Sequence, residues 1–196
     1  LPTRSLAEAI AEEWRVQGEE IDPQSMPFAK LANTAIDGVT PRRDEVIDEI
    51  VEFAKHDHLC YRTDRPPDLL RRQSEAWDKL LDWAAERYGA PLLRAHGITS
   101  VAQPERSIAA LRKAVEAFDP FALAALHVIA SISGSLVLAL AVADRHLSAA
   151  EAFERSQIDE RFQAEKWGLD TEAEARAKRL AADLAMAARF MDFARG

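Results

Sequence analysis

The 196-residue chain carries 33 Asp and Glu against 25 Lys and Arg, a formal net charge of -8, with 48% hydrophobic and 30% charged residues. That is the make-up of a globular domain long enough to bury a core, and its negative charge argues against phosphate backbones and anionic lipid as ligands. A single cysteine, Cys60, excludes an intramolecular disulfide and fits a reducing compartment.

The start, "LPTRSLAEAIAEEW", lacks the apolar core of a secretion signal, is too acidic for a transit peptide and has no initiator Met. It reads as a processed or truncated chain. Thr3 caps a first helix with Leu6, Ile10 and Trp14 on one face. Gly18 and Pro23 close it. "FAKLANTAIDG" places Phe28, Leu31, Ala32, Ala35 and Ile36 on a second helical stripe, ended by Gly38. Thr40 and Pro41 form a cap and first turn for a helix carrying Val46, Ile47, Ile50, Val51 and Phe53. A short apolar-aromatic stretch near 58–62 and another near 90–95 are strand candidates. Between them a long helix runs from Asp68 to Tyr88, with Leu69, Leu70, Gln73, Trp77, Leu80, Leu81 and Ala84 inward and Gly89 as its stop. Gln103 and Pro104 open a helix with Ile108, Leu111, Val115 and Phe118.

Phe121 to Ala143 then holds no Asp, Glu, Lys or Arg. One helix over about 120–145 is long enough to cross a bilayer. However, Ser131, Ser133, Gly134 and Ser135 put polar and flexible positions at its middle, and no Trp or Tyr marks either end. The amphipathic neighbours also each need a wall. The run is therefore expected to be a central buried helix, not a membrane insertion, with Gly134 and its serines allowing close helix approach. Ser148 with Glu151, and Thr171 with Glu174, form capping boxes for the last two helices. The stripe of the last is Ala177, Leu180, Leu184, Ala188 and Met191. The expected fold is mainly α, a single helical domain over 1–196.

Few constellations carry chemistry. His56, Asp57, His58 and Cys60 are metal-ligand types, but no second cluster completes a site. A polar helix end is the simpler reading, and a small metal-dependent enzyme remains an alternative. No dinucleotide fingerprint, Walker loop, nucleophile elbow or zinc-protease motif occurs. No metal, cofactor or catalytic residue is expected. The most unusual polar segment, "AEAFERSQIDERFQAEKWG", sets Glu151, Glu154, Asp159, Glu160 and Glu165 on one helix ahead of Trp167. Residue physics alone reads it as a solvated face with i,i+4 pairs. The sharper reading is an acidic recognition face beside an aromatic anchor.

Five segments in order, "LANTAIDG", "LCYR", "WDKLLDWAAERYG", "GSLVLALAV" and "QAEKWG", resemble the assembly factor 2 family of the F-type ATP synthase. The resemblance covers almost the whole chain. It implies a non-enzymatic, ATP-independent chaperone that binds the free α subunit of the catalytic head, covers a surface later used by β, and is displaced during assembly. Such a chaperone is expected to be a monomer in the cytoplasm of an α-proteobacterium, or in the mitochondrial matrix if eukaryotic. It further implies that the acidic positions before "Q-x-x-K-W-G", here Asp159 and Glu160, serve function. Gln163, Glu165 and Trp167 complete the expected partner-binding set. Trp14, in "EEW", matches a family position, and its stripe suggests packing; Trp77 and Gly134 are the other expected structural positions. The family usually carries a β-rich domain ahead of "LPTRSLAEAIAEEW", so a truncation is expected. Lys79 stands where the family often has Pro. A helical adaptor for another client is the alternative within the same fold.

Overall fold

The computed structural model describes residues 1–97, 101–168 and 170–196. The fold is mainly helical, as expected. Helix α1 (Arg4–Arg15) begins where the Thr3 hydroxyl accepts the Leu6 N–H at 3.1 Å. Leu6 is buried and Ile10 half-buried, but Trp14 is 51% exposed. The stripe therefore fails at its third position: near its end α1 is held to its neighbour by a polar contact, and Trp14 stays outside. There Glu13 does the anchoring, its two carboxylate oxygens accepting the Phe28 and Ala29 N–H groups at 2.7 and 2.8 Å. These are orphan donors at the start of α2 (Pro27–Asn33), so a neighbouring helix supplies its cap.

Gly38 does not end this helix. The chain continues through a π turn (Thr34–Val39) and a 3-10 turn (Thr40–Arg42) into α3 (Arg43–Lys55). The wider π turn shifts the register, so Ala35 and Val39 are buried while Ile36 faces out. Thr40 does not cap α3; its hydroxyl donates to the Ala35 carbonyl at 2.8 Å, the same oxygen that accepts the Thr40 backbone N–H.

Each strand candidate meets a strand only at its C-terminal end, residues 90–94 being irregular, and the two short strands pair with each other. β1 (Tyr61–Arg62) and β2 (Ala95–His96) form a parallel ladder, Tyr61 opposite Ala95 and Arg62 opposite His96. Residues 58–60 form a 3-10 turn instead of strand. Between the strands runs α4 (Pro67–Tyr88), stopped by Gly89 in the left-handed conformation at φ 67°. Then comes α5 (Glu105–Glu116).

The uncharged run is two helices, not one. α6 (Pro120–Ser133) and α7 (Leu136–Ala143) are separated by Gly134 at φ 65° and by Ser135, whose side chain accepts the Leu138 N–H. Asp57 makes the break a fixed joint: one carboxylate oxygen accepts the Val137 N–H at 3.1 Å and the other the Leu59 N–H at 3.0 Å. The His58 N–H donates to the Gly134 carbonyl at 3.0 Å. Among the described residues no helix is long and apolar enough to cross a membrane. α6 and α7 form the hub instead, burying Leu123, Leu126, Ile129, Leu136 and Leu138 completely. Each such side chain contributes about 2 kcal/mol of hydrophobic stabilisation. α2, α3 and the π turn lie against α6, and α4 lies against α7.

The predicted acidic helix is likewise two: α8 (Ala149–Ser156) and α9 (Ile158–Trp167), hinged at Gln157. The Ser148–Glu151 capping box forms in full. The second predicted box does not, because Asp170, not Thr171, caps α10 (Thr171–Arg195) by accepting the Glu172 N–H. α10 covers α6 and α8 and also meets α1, α2 and α7. Its stripe divides: Leu184 and Met191 are buried, but Ala177 and Leu180 are only half-buried, because the first half of α10 stands clear of the hub.

Candidate partner-binding site

Two clusters were candidates, and the first is structural in its contacts. Both oxygens of Asp57 are engaged by backbone N–H groups, His58 lies edge-on to Trp77 at 4.9 Å, and Cys60 is buried. Burial pushes the Cys60 thiol well above its ordinary range, the reverse of what a nucleophile needs. Among the described residues no group of three metal-ligand side chains is close enough to hold an ion. Trp77 is the node of this region. It is fully buried, its indole N–H donates to the Arg155 carbonyl at 2.8 Å, and the Arg62 guanidinium stacks 4.9 Å from its ring.

The second cluster is α9, which presents two faces. Asp159, Phe162, Glu165 and Lys166, at spacings of three and four, turn toward α4. The Asp159 carboxylate accepts from the Gln73 amide at 2.7 Å, and the Gln73 oxygen in turn accepts the Thr63 N–H at 2.9 Å. Glu165 pairs with Arg72 at 2.8 Å, which holds its carboxyl below the usual range. Lys166 reaches Asp68 at 3.8 Å, and the buried Phe162 ring lies under both Arg72 and Lys166. This face fastens α9 to the body.

The adjacent face carries Glu160, Gln163, Ala164 and Trp167. It opens on a groove of roughly 1080 Å³ between α9 and the first half of α10. Glu160 has no ion-pair or hydrogen-bond partner among the described residues, and Trp167 is 79% exposed. Ile132 and Phe153 form the floor, and Ala173, Ala177, Leu180 and Ala181 line the α10 wall. A large aromatic held in water costs apolar hydration unless something covers it. The arrangement suits a protein partner: an apolar channel, an aromatic lip and an unneutralised acid.

Of the five residues expected to bind a partner, the structure brings Glu160, Gln163 and Trp167 together on this face. It turns Asp159 and Glu165 to α4. The α10 wall was missed, because Ala177 and Leu180 continue the core stripe in the sequence and nothing local says where cover stops. A smaller hollow lies at Arg87, Tyr88 and Asp144, where the Asp144 carboxylate accepts from both neighbours at 2.7 and 3.0 Å and its charge is met internally.

The family model described as ATP12 chaperone protein matches residues 1–85. The crystal structure of Atp12 from Paracoccus denitrificans is 45% identical and superposes with a TM-score of 0.97, over 100% of this chain and 84% of that one. An aspartate-to-lysine mutant of Paracoccus denitrificans Atp12p gives the same identity and TM-score, with 83% of that chain covered. A protein from Agrobacterium tumefaciens, named as a candidate chaperone, is 38% identical at a TM-score of 0.91, over 97% of this chain and 71% of that one.

Proposed function

From the premise that this chain belongs to the ATP12 chaperone family, a family of ATP synthase assembly factors, we propose that it holds the free α subunit of the catalytic head and masks the surface that β later covers. It acts without catalysis, in the cytoplasm of a bacterium or in the matrix if the source is mitochondrial. The observation that carries this reading is the α9 face on which Trp167 and Glu160 stand exposed beside an apolar groove. Unassembled subunits expose interface surface that aggregates unless covered. An apolar channel with a charged lip covers such a surface reversibly, since β can compete for the same contacts.

The test is capture of purified α subunit by Glu160→Lys and Trp167→Ala variants. Neither side chain supports the body, so thermal melts should match the parent. Trp167→Ala should weaken capture roughly 30-fold, about 2 kcal/mol for a central aromatic anchor. Glu160→Lys should weaken it too, and mainly by slowing association. Glu160 is the right position for charge reversal because Asp159 also holds buried Gln73. Unchanged capture by both variants, with the fold intact, rejects the α9 face as the contact.

A further inference from the structure

We infer that the groove between α9 and the first half of α10 seats one amphipathic helix of the client, apolar stripe inward, with its basic flank along α9 and its acidic flank along α10. The inference rests on the chaperone reading above and specifies what that site receives.

Both walls are helices, whose backbone groups away from the ends are already paired internally. An extended segment entering here finds no sheet edge, and its own N–H and C=O groups go unmatched. A helix brings its backbone bonds with it, so it is the guest this channel can take dry. Ala173, Ala177, Ala181 and Ala185 recur every fourth residue on the α10 wall. Short side chains in that row let another helix axis approach to about 8 Å, the near end of ordinary helix packing. Ile132 and Phe153 on the floor, with Trp167 at the lip, offer the bulky contacts that a helix stripe at i, i+3 and i+7 needs.

Charge sets the direction. On the α9 wall Arg161 is met by Glu154 at 3.5 Å, which leaves Glu160 uncompensated. On the α10 wall Lys178 is met by Glu174 at 2.7 Å, and Arg176 and Arg179 have no ion-pair partner among the described residues. Asp170 and Glu172 sit at the apex, where the Asp170 carboxylate caps α10. The two long lips thus carry opposite sign. A guest helix with one basic and one acidic flank fits one way round and is repelled the other.

Two synthetic helical peptides of about 18 residues test this, long enough to hold helix in water. They share composition and apolar stripe, but one segregates its basic and acidic residues onto opposite flanks and the other mixes them evenly on both. Fluorescence anisotropy should show the peptide with segregated flanks binding at least tenfold tighter than its mixed twin, which cannot match both lips in either direction. Ala177→Trp, which fills the channel from a half-buried position, should cut peptide binding and α-subunit capture by at least tenfold with an unchanged melt. If that variant melts early, Ala173→Trp at an exposed position takes its place. Equal binding of the two peptides, or tighter binding of a proline-interrupted version, overturns the oriented helix. Normal α capture by the filled variant, while Glu160→Lys still loses it, overturns the groove as the seat and leaves the α9 reading standing. Normal capture by all variants removes both.

Discussion

Asp57 lies fully inside the protein, where a carboxylate is costly to charge. Burial raises its pKa from 3.8 to about 6, while hydrogen bonds from the Val137 N–H, Ser135 and the Leu59 N–H, and the nearby His58, pull it down. The folded chain therefore holds a proton that the unfolded chain has already released between about pH 4 and pH 6. The folded state binds more protons there, so this group's contribution to stability falls as pH rises through that window and levels off above it. From pH 5 to pH 7 the loss is about 1 kcal/mol. Urea denaturation at the two pH values should show this slope in the parent and not in Asp57→Asn, whatever the variant's absolute stability. An equal slope in both assigns the effect to other groups. Asp159 shows a different constraint on a single side chain. Its position in an acidic run suggested a partner contact, yet it meets Gln73, 86 positions away in sequence. No local pattern encodes that partner.

At the scale of elements, what sequence alone disclosed followed the range of the interaction concerned. Caps made by near neighbours were legible at Thr3 and in the Ser148–Glu151 box, but not at α10, where Asp170 takes the place that Thr171 offers one residue on. So was the inward face of α4, where the period of Leu69, Trp77, Leu80 and Ala84 is unbroken. Breaks imposed from afar were not. Ser133-Gly134-Ser135 is compatible with a continuous helix or with a stop, and Asp57 decides by capping the second piece. The π turn before α3 is hidden for the same reason, as is the division of α9 between Arg72 and open groove. Gly134 carries the cost of the break. An added Cβ meets only His58 at an ordinary 3.6 Å, so Gly134→Ala is penalised through its left-handed backbone and not through a clash. Equilibrium unfolding should show a loss of about 1–2 kcal/mol. A neutral result means that the joint relaxes into a continuous helix.

Across the whole molecule, the net charge of -8 sets how a client arrives. If the lip at Glu160 steers association, the on-rate for α capture should drop several-fold between about 50 and 300 mM salt, screened on the scale of the Debye length. Glu160→Lys should flatten that dependence in stopped-flow measurements. A salt-independent rate removes steering from the account. The same molecule also constrains its own birth. Asp57 leaves the ribosome long before Val137, and until that distant amide appears its carboxylate lacks one of its two backbone donors. The early helices emerge without the apolar spine they close upon, so a nascent chain stalled ahead of α6 displays its future interior to solvent. An assembly chaperone thus passes through an unassembled stage of its own.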